Sequence, residues 1–548
     1  MVQPMDEPWK LDSFPGGDRG AGVPSKPRKT VTPEQMQEEY NRAVSYNQKC
    51  NGGNLYERVK QNEHFFVGNQ WEGVNAPNLD KPVMNILKRV VSFFVSSIVS
   101  DDVGVELTLF GGKDEAKELE LKIISQQVAE VIENTKAKAK NRDAIRDAAV
   151  DGDACFYLRF DPDMETGQAA MGGINIEVLP CTSVYFGNPQ VWEVQEQPYL
   201  LFQMRKTLED VQEEGRKNGI PEEILAGIGE NEDPNSLNVE TEDGKVTVLT
   251  RFWRDGGTVW FCREAGGIMV VPPTDTGYRL YPIAWMSWDK VKNSYHGQAA
   301  VTGLIPNQIF INKLFAMCME HVKKLAFPKI VYDRRMFPNG YTNQVGEAVG
   351  VTGEPGTAAR VIESADMSSQ VMGLIETAMQ YTRDTMGASD ASLGNVKPDN
   401  TSAIIAVQKA SAMPLELQRM GFYQFVEDYI RIFLDMMRVD YGIREVTYEN
   451  ENGESQRAFY DFSRIGRFRW KLNVNIGAST YWSELMQMQT LDNLFAQKVI
   501  TDPADYLESV PSQYVPNKQK LLAKIREQQQ VQQAGMMGQP AAMSPDGR

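Results

Sequence analysis

Apolar positions along the chain follow a helical period first and an extended one later, and the switch falls at Gly152. Thr32-Pro33-Glu34-Gln35 combines a capping hydroxyl, a proline at the first helical position and an acid in the first turn. It predicts a helix toward Tyr46. Asn51-Gly52-Gly53-Asn54 breaks it, and a second helix is expected from Leu55 to about Val67, ended by Gly68. Between Val83 and Ser100, Ile86, Val90, Phe93, Phe94 and Ser97 recur at helical spacing. Asp114 to about Val150 reads as one long helix, with Leu121, Ile124, Val128, Val131 and Ile132 in one stripe.

After Gly152 the segments are short, β-branched or aromatic, and bounded by Gly, Pro, Asn and Asp. Strands are expected at Ala154–Phe160, Ile174–Leu179, Tyr199–Arg205, Lys245–Arg254 and Thr258–Arg263. A helix over Leu208–Asn218 and an acidic loop over Glu230–Gly244 interrupt them. Helical spacing returns from about Ala299 to Ala326 and again over Ser368–Met386. Between them lie strand candidates Lys329–Asp333 and Ala358–Ile362. Gly387–Asn400 reads as a loop, and Thr401–Tyr441 as a long helix kinked or broken at Pro414. Val446–Tyr448 and Phe468–Val474 read as strands, Ser483–Lys498 and Lys518–Val531 as helices. The fold class is therefore α+β. Residues 1–32 read as a flexible arm, and the tail after Gln532 as a disordered low-complexity stretch.

Composition narrows the function. The 548 residues are 42% hydrophobic and 24% charged, enough apolar material for a sizeable core. The net charge of −16 argues against a protein that simply coats nucleic acid. The five cysteines form no CxxC pair and match neither a disulfide framework nor a zinc site. They read as buried free thiols in a reducing compartment. The N-terminal arm has no apolar core of a signal peptide, and the most apolar stretch, Val90 to Ser100, is far short of the ~20 residues of a membrane span. A soluble protein is expected.

Catalytic motifs fail one after another. Gly112-Lys113 lacks the upstream glycine of a phosphate-binding loop, and Gly353 and Gly356 do not form GxGxxG. Asp161-x-Asp163-x-Glu165 begins like a calcium loop, but Thr166 and Gly172 occupy the positions that need Gly and Glu, so a solvated turn is expected. Asp101, Asp102 and Glu106 could gather a divalent cation, or be an acidic loop after a helix. Pro398-Asp399 with Lys409 fails as a nuclease motif because position 407 is Val. No GxSxG, HExxH or Cys/His pairing is present. No cofactor is expected. Lys323, Lys324, Lys329, Arg334 and Arg335 form a basic cluster beside a helix end, either a solvated surface or a docking patch. The methionines read as core filler.

Four segments, in order, resemble the portal proteins of short-tailed bacteriophages. They are Phe65-Phe66-Val67-Gly68-Asn69-Gln70-Trp71 with Lys81-Pro82-Val83-Met84-Asn85-Ile86; then Tyr295-His296-Gly297 with Leu304-Ile305-Pro306-Asn307-Gln308 and Asn312. The third is Thr385-Met386-Gly387-Ala388-Ser389-Asp390-Ala391-Ser392-Leu393-Gly394-Asn395 with Ser402-Ala403-Ile404, and the last is Tyr481-x-x-Glu484. The resemblance implies an arm (1–40), a mixed α/β wing (41–295 and 402–475), two stem helices (296–326 and 367–387), a small clip (327–366), a tunnel loop (388–401), a helical crown (476–531) and a tail (532–548).

It also implies a non-enzymatic ring of about twelve subunits at one capsid vertex. Double-stranded DNA would pass through it without sequence preference during packaging and ejection. Its partners would be further copies of itself, the terminase large subunit, the major capsid and scaffolding proteins, and head-tail adaptors, with no membrane. It would reside in the virion, and in the host cytoplasm during assembly. Ala391, Ser392, Leu393, Gly394, Asn395, Val396 and Lys397 would face DNA. The basic cluster would dock motor or adaptor. Phe310 and Leu314, read as one apolar stem face, would oligomerise. Two alternatives stay open: another ring-forming connector or baseplate protein, and a metal-dependent nucleic-acid enzyme built on Asp101, Asp102 and Glu106.

Overall fold

A computed structural model describes residues 30–77, 79–99, 103–109, 115–166, 170–231, 244–326, 329–337, 340, 350–361, 369–384, 413–449, 455–467 and 470–476, with shorter stretches between 488 and 525. Residues 1–29 of the expected arm, most of the acidic loop, the tunnel loop, the first part of the helix expected from Thr401, most of the crown and the tail lie outside the described residues, while positions 33–40, also given to the arm, are helical.

The N-terminal part is helical: α1 (Pro33–Asn47), α2 (Leu55–Val67), α3 (Ile86–Ile98), then strand β1 (Val103–Leu109), α4 (Glu115–Asn134) and α5 (Ala137–Asp151). The caps follow the sequence. Thr32 accepts from Gln35 N–H, and Gly68 ends α2 with φ +102°, a left-handed conformation that glycine adopts without strain. The helix expected over Asp114–Val150 is instead two, because Lys136 turns left-handed at φ +53° after Thr135 folds its hydroxyl back onto Val131 O (2.6 Å). The stretch around Glu106, read as an acidic loop, is strand β1.

The β-rich part contains β2 (Asp153–Asp161), β3 (Gly173–Leu179), β4 (Val184–Phe186), β5 (Tyr199–Thr207), α6 (Leu208–Lys217), α7 (Glu222–Leu225), β6 (Lys245–Asp255), β7 (Thr258–Ala265), β8 (Ile268–Asp275) and β9 (Ile283–Ser287). They form an antiparallel three-stranded sheet, β3-β2-β9, and a five-stranded one, β4-β5-β6-β7-β8. The pattern missed β4, β8 and β9. Strand β8 carries Pro272 and Pro273, which an interior strand would not tolerate; it lies at the sheet edge. Asp161 ends β2 and Asp163 follows in the connection, where Asp161 Oδ1 accepts from Asp163 N–H (3.2 Å), as a solvated turn requires.

The rest comprises α8 (Ala300–Ala326), β10 (Ile330–Tyr332), α9 (Pro355–Ala358), β11 (Ala359–Val361), α10 (Ser369–Asp384), α11 (Glu416–Met436), β12 (Ile443–Glu449), β13 (Ser455–Asp461), β14 (Trp470–Ile476) and α12 (Pro503–Ser509). Pro414 lies in a single 3₁₀ turn, Met413–Leu415, that leads directly into α11. Strands β10 and β11 pair antiparallel, as do β12 with β13 and β14 with β1. The largest core joins α3, α4, α5, the three-stranded sheet, the first half of α8 and α11, with Phe94 against Trp288 and Phe156 against Phe425. No helix among the described residues is long and apolar enough to cross a membrane.

Alternation along β5 and β6 gives the five-stranded sheet two apolar faces. Leu200, Phe202 and Phe252 pack on one side with Tyr281 and Tyr295. Leu201, Leu249 and Trp253 face Met36 of α1 on the other.

Candidate assembly surface

Helix α8 is held at its root by buried amides and along its outer half by α10. At the root, Gln308 and Asn312 are one turn apart and almost fully buried. Gln308 Nε2 donates to Met84 O (2.7 Å), and its Oε1 accepts from Ile86 N–H (3.1 Å). Asn312 Nδ2 donates to Gln70 Oε1 (2.6 Å), and Gln70 Nε2 donates to Phe65 O (2.8 Å). Asn85 caps α3 and donates to Phe66 O (2.8 Å). Two sequence segments more than two hundred residues apart thus form one amide network. Buried amides are costly unless satisfied, so the network fixes where α8 leaves the core. From α2, Asn62 Nδ2 adds bonds to Val150 O (2.7 Å) and Thr302 Oγ1 (2.8 Å).

Past Asn312 the support changes. Leu314, Cys318 and Ile375 make a small core of their own between α8 and α10. Large apolar side chains on the same pair of helices face outward: Phe310 is 46% exposed, Met317 57%, Val322 54% and Tyr381 69%. Beyond them Val331 and Val361 are exposed on the β10–β11 ribbon. A two-stranded ribbon is marginal by itself. Large exposed apolar side chains on one helix pair make it the candidate protein-interaction surface.

Here the sequence reading needs correction. Phe310 and Leu314 do not share a surface: Leu314 is only 8% exposed and belongs to the internal α8–α10 contact, while Phe310 faces out. The bend in environment arises where α10 joins α8, a contact no periodicity reveals.

The basic cluster is partly engaged. Lys323 pairs with Asp80, and Lys324 with Glu320 (3.0 Å). Lys329, Arg334 and Arg335 flank β10 with exposed side chains. Ala391–Lys397, with Lys397, lie outside the described residues, as do Asp101 and Asp102. Glu106 sits on β1 opposite Asn473 of β14. Among the described residues no three His, Cys, Asp or Glu are arranged to hold a metal ion.

The buried titratable groups are structural in their surroundings. His296, wholly buried, has Nδ1 2.9 Å from Asp153 Oδ2 and Nε2 3.2 Å from Asn47 Oδ1. An acid–histidine pair of this kind serves a nucleophile when the second nitrogen faces a hydroxyl or thiol. Here it faces an amide, and Asp153 also accepts from Gly297 N–H (2.9 Å). The pair fastens α1, β2 and the turn before α8. All five cysteines are free and buried. Burial pushes the thiols of Cys155 and Cys181 well up, and that of Cys262 to about 12, away from the reactive thiolate.

Gln70, Asn85, Gln308 and Asn312 lie within the motifs of the resemblance, and the sequence alone assigns them no task. A polar residue at a core-facing helical position, as at Gln308 and Asn312, was the available signal. Residues 190–447 match the family model described as Phage P22-like portal protein, a span that includes α8, the ribbon, α10 and α11. No curated protein matches the chain.

Proposed function

We propose, from the match of residues 190–447 to the Phage P22-like portal protein model, that this chain is a phage portal protein that assembles into a closed ring at one capsid vertex. Double-stranded DNA is packaged and ejected through the ring, and terminase and tail adaptors dock on it. The observation that carries this reading is the match itself, which falls on the helix pair with the exposed apolar side chains. In the proposed layout, 41–295 and 402–475 are the wing, α8 and α10 the stem, 327–366 the clip, 388–401 the tunnel loop and 476–531 the crown. A head-to-tail contact repeated around an axis closes into a ring. Membership of a structural family supports capsid association and a non-catalytic role. The acidic balance suits a conduit, since dense phosphate contacts would grip DNA. Electron microscopy of the purified protein tests the proposal: a ring with a central hole is expected, and particles that stay monomeric or dimeric at high concentration would overturn it.

The clip reading makes its own prediction. Because Lys323 and Lys324 already have acidic partners, docking rests on Lys329, Arg334 and Arg335. Reversing Arg334 and Arg335 to Glu should weaken terminase or adaptor binding roughly tenfold at about 0.05 M salt and little near about 1 M. Rings should still form. Binding that is unchanged at low salt removes the cluster from docking.

For the tunnel loop, deletion of Ala391–Lys397 with a glycine closure should leave rings intact, since the segment offers few apolar side chains. Packaging by the motor should persist while retention of packaged DNA falls. Packaged length and leakage, compared with parent particles, are the readout; full-length stable packaging refutes the role.

A further inference from the structure

Asp151 is the last residue of α5, and Gly152 turns the chain at once into β2. A carboxylate there meets the negative end of the helix dipole. Asp147 stands one turn earlier on the same helix, and Glu63 of α2 lies across from it. Arg146 serves the group: it bonds Glu63 (2.5 Å to Oε2) and Asp147 (2.9 Å). Asp151 Oδ1 is buried with no hydrogen-bond partner. Asp153, just beyond, is taken up by His296 and Gly297 N–H. With Glu63, Asp147 and Asp151 all ionised, three negative charges would share one positive charge.

The place matters as much as the charge. Asn62, next to Glu63, bonds the carbonyl of Val150, next to Asp151, and also the Thr302 hydroxyl at the root of α8. The end of α5 has no slack to withdraw: a side-chain carbon at Gly152 would come within 3.1 Å of Gly297 O.

We propose that Asp151 is a proton-binding group, and that its neutral carboxylic-acid form holds together the junction of α2, α5 and the α8 root. The charged groups acting on it are Asp147, Arg146, Glu63 and Asp153, and the buried Cys181 thiol responds to it in turn. Burial, then Asp147, push its carboxyl well above the ordinary value of 3.8. Asp147 is pushed up as well, by its own burial.

The sign follows from linkage. The folded chain keeps a proton that the unfolded chain releases, so stability is full below the ordinary carboxyl value near 3.8 and falls as pH rises toward the folded value. The unfolding equilibrium shifts by up to about tenfold per pH unit in that window.

Denaturant unfolding of the full chain between about pH 5 and pH 9 tests this. The parent should lose stability as pH rises, and Asp151→Asn should flatten the slope and be the more stable protein at the alkaline end. An infrared band of a protonated carboxyl should be present in the parent and weaker in Asp151→Asn at the same pH. A folded Asp151→Asn with the parental slope overturns the proposal. So does a parent with no carboxylic-acid band, a result that does not depend on the variant folding.

Discussion

Phe310→Asp and Val322→Asp are expected to give folded, soluble protein that no longer forms rings, whereas Leu314→Asp should damage the subunit itself. The difference comes from what each side chain touches. Phe310 and Val322 are about half exposed in the isolated chain, so a carboxylate there is solvated until a neighbour covers it. Covering it then costs several kcal/mol per interface without a compensating bond. In the proposed ring the same contact recurs, so the penalty would apply to every subunit. Leu314 is already enclosed with Cys318 and Ile375, so the same substitution places the charge inside α8–α10 whether or not a ring forms. Sedimentation velocity should report monomer for the first two variants, with circular dichroism unchanged. For Leu314→Asp, the melting temperature should drop. Normal rings from both exposed-site variants would remove α8 from the subunit contact.

Glu39→Ala should destabilise the subunit by about 3–5 kcal/mol, the largest single effect on stability expected outside the core. Glu39 of α1 and Arg251 of β6 form a two-pronged pair, Nε–Oε2 2.7 Å and Nη2–Oε1 3.1 Å, and both are more than nine-tenths buried. The guanidinium also lies over the rings of Tyr199 (4.6 Å) and Trp253 (5.2 Å). Removing only the carboxylate strands a cation between α1 and the sheet. Replacing both, as Glu39→Leu with Arg251→Met, should recover most of the loss, because the pair's attraction mainly offsets its own desolvation. Denaturant midpoints of the single and double variants decide the matter. Equal losses in both would mean that α1 is held by its apolar contacts, such as Met36, and not by the pair.

Local chemistry was enough for elements whose causes are local. The Thr32-Pro33 start of α1 and the Gly68 stop of α2 were legible because a cap needs a particular residue at a particular place. The body of α8 was legible because its root turns one side to the core, and strands β5 to β7 because they are short runs of β-branched and aromatic residues bounded by turn residues. The basic cluster and the resemblance carried by Gln70, Asn85, Gln308 and Asn312 were also visible in the chain alone.

What only the tertiary structure decided depends on partners distant in sequence. The prolines of β8 are admissible because that strand is an edge, and strand order is not written locally. The break at Lys136 carries no Gly or Pro, so the periodicity ran through it. Leu314 and Phe310 look alike as letters, and parted only when α10 came to lie along one side of α8. The amide network from Gln70 to Asn312, the Glu39–Arg251 pair and the carboxylates around Arg146 each join segments that meet only in the folded chain. Burial gives those polar groups their energetic weight, and burial is a property of the packed neighbours and not of the residue.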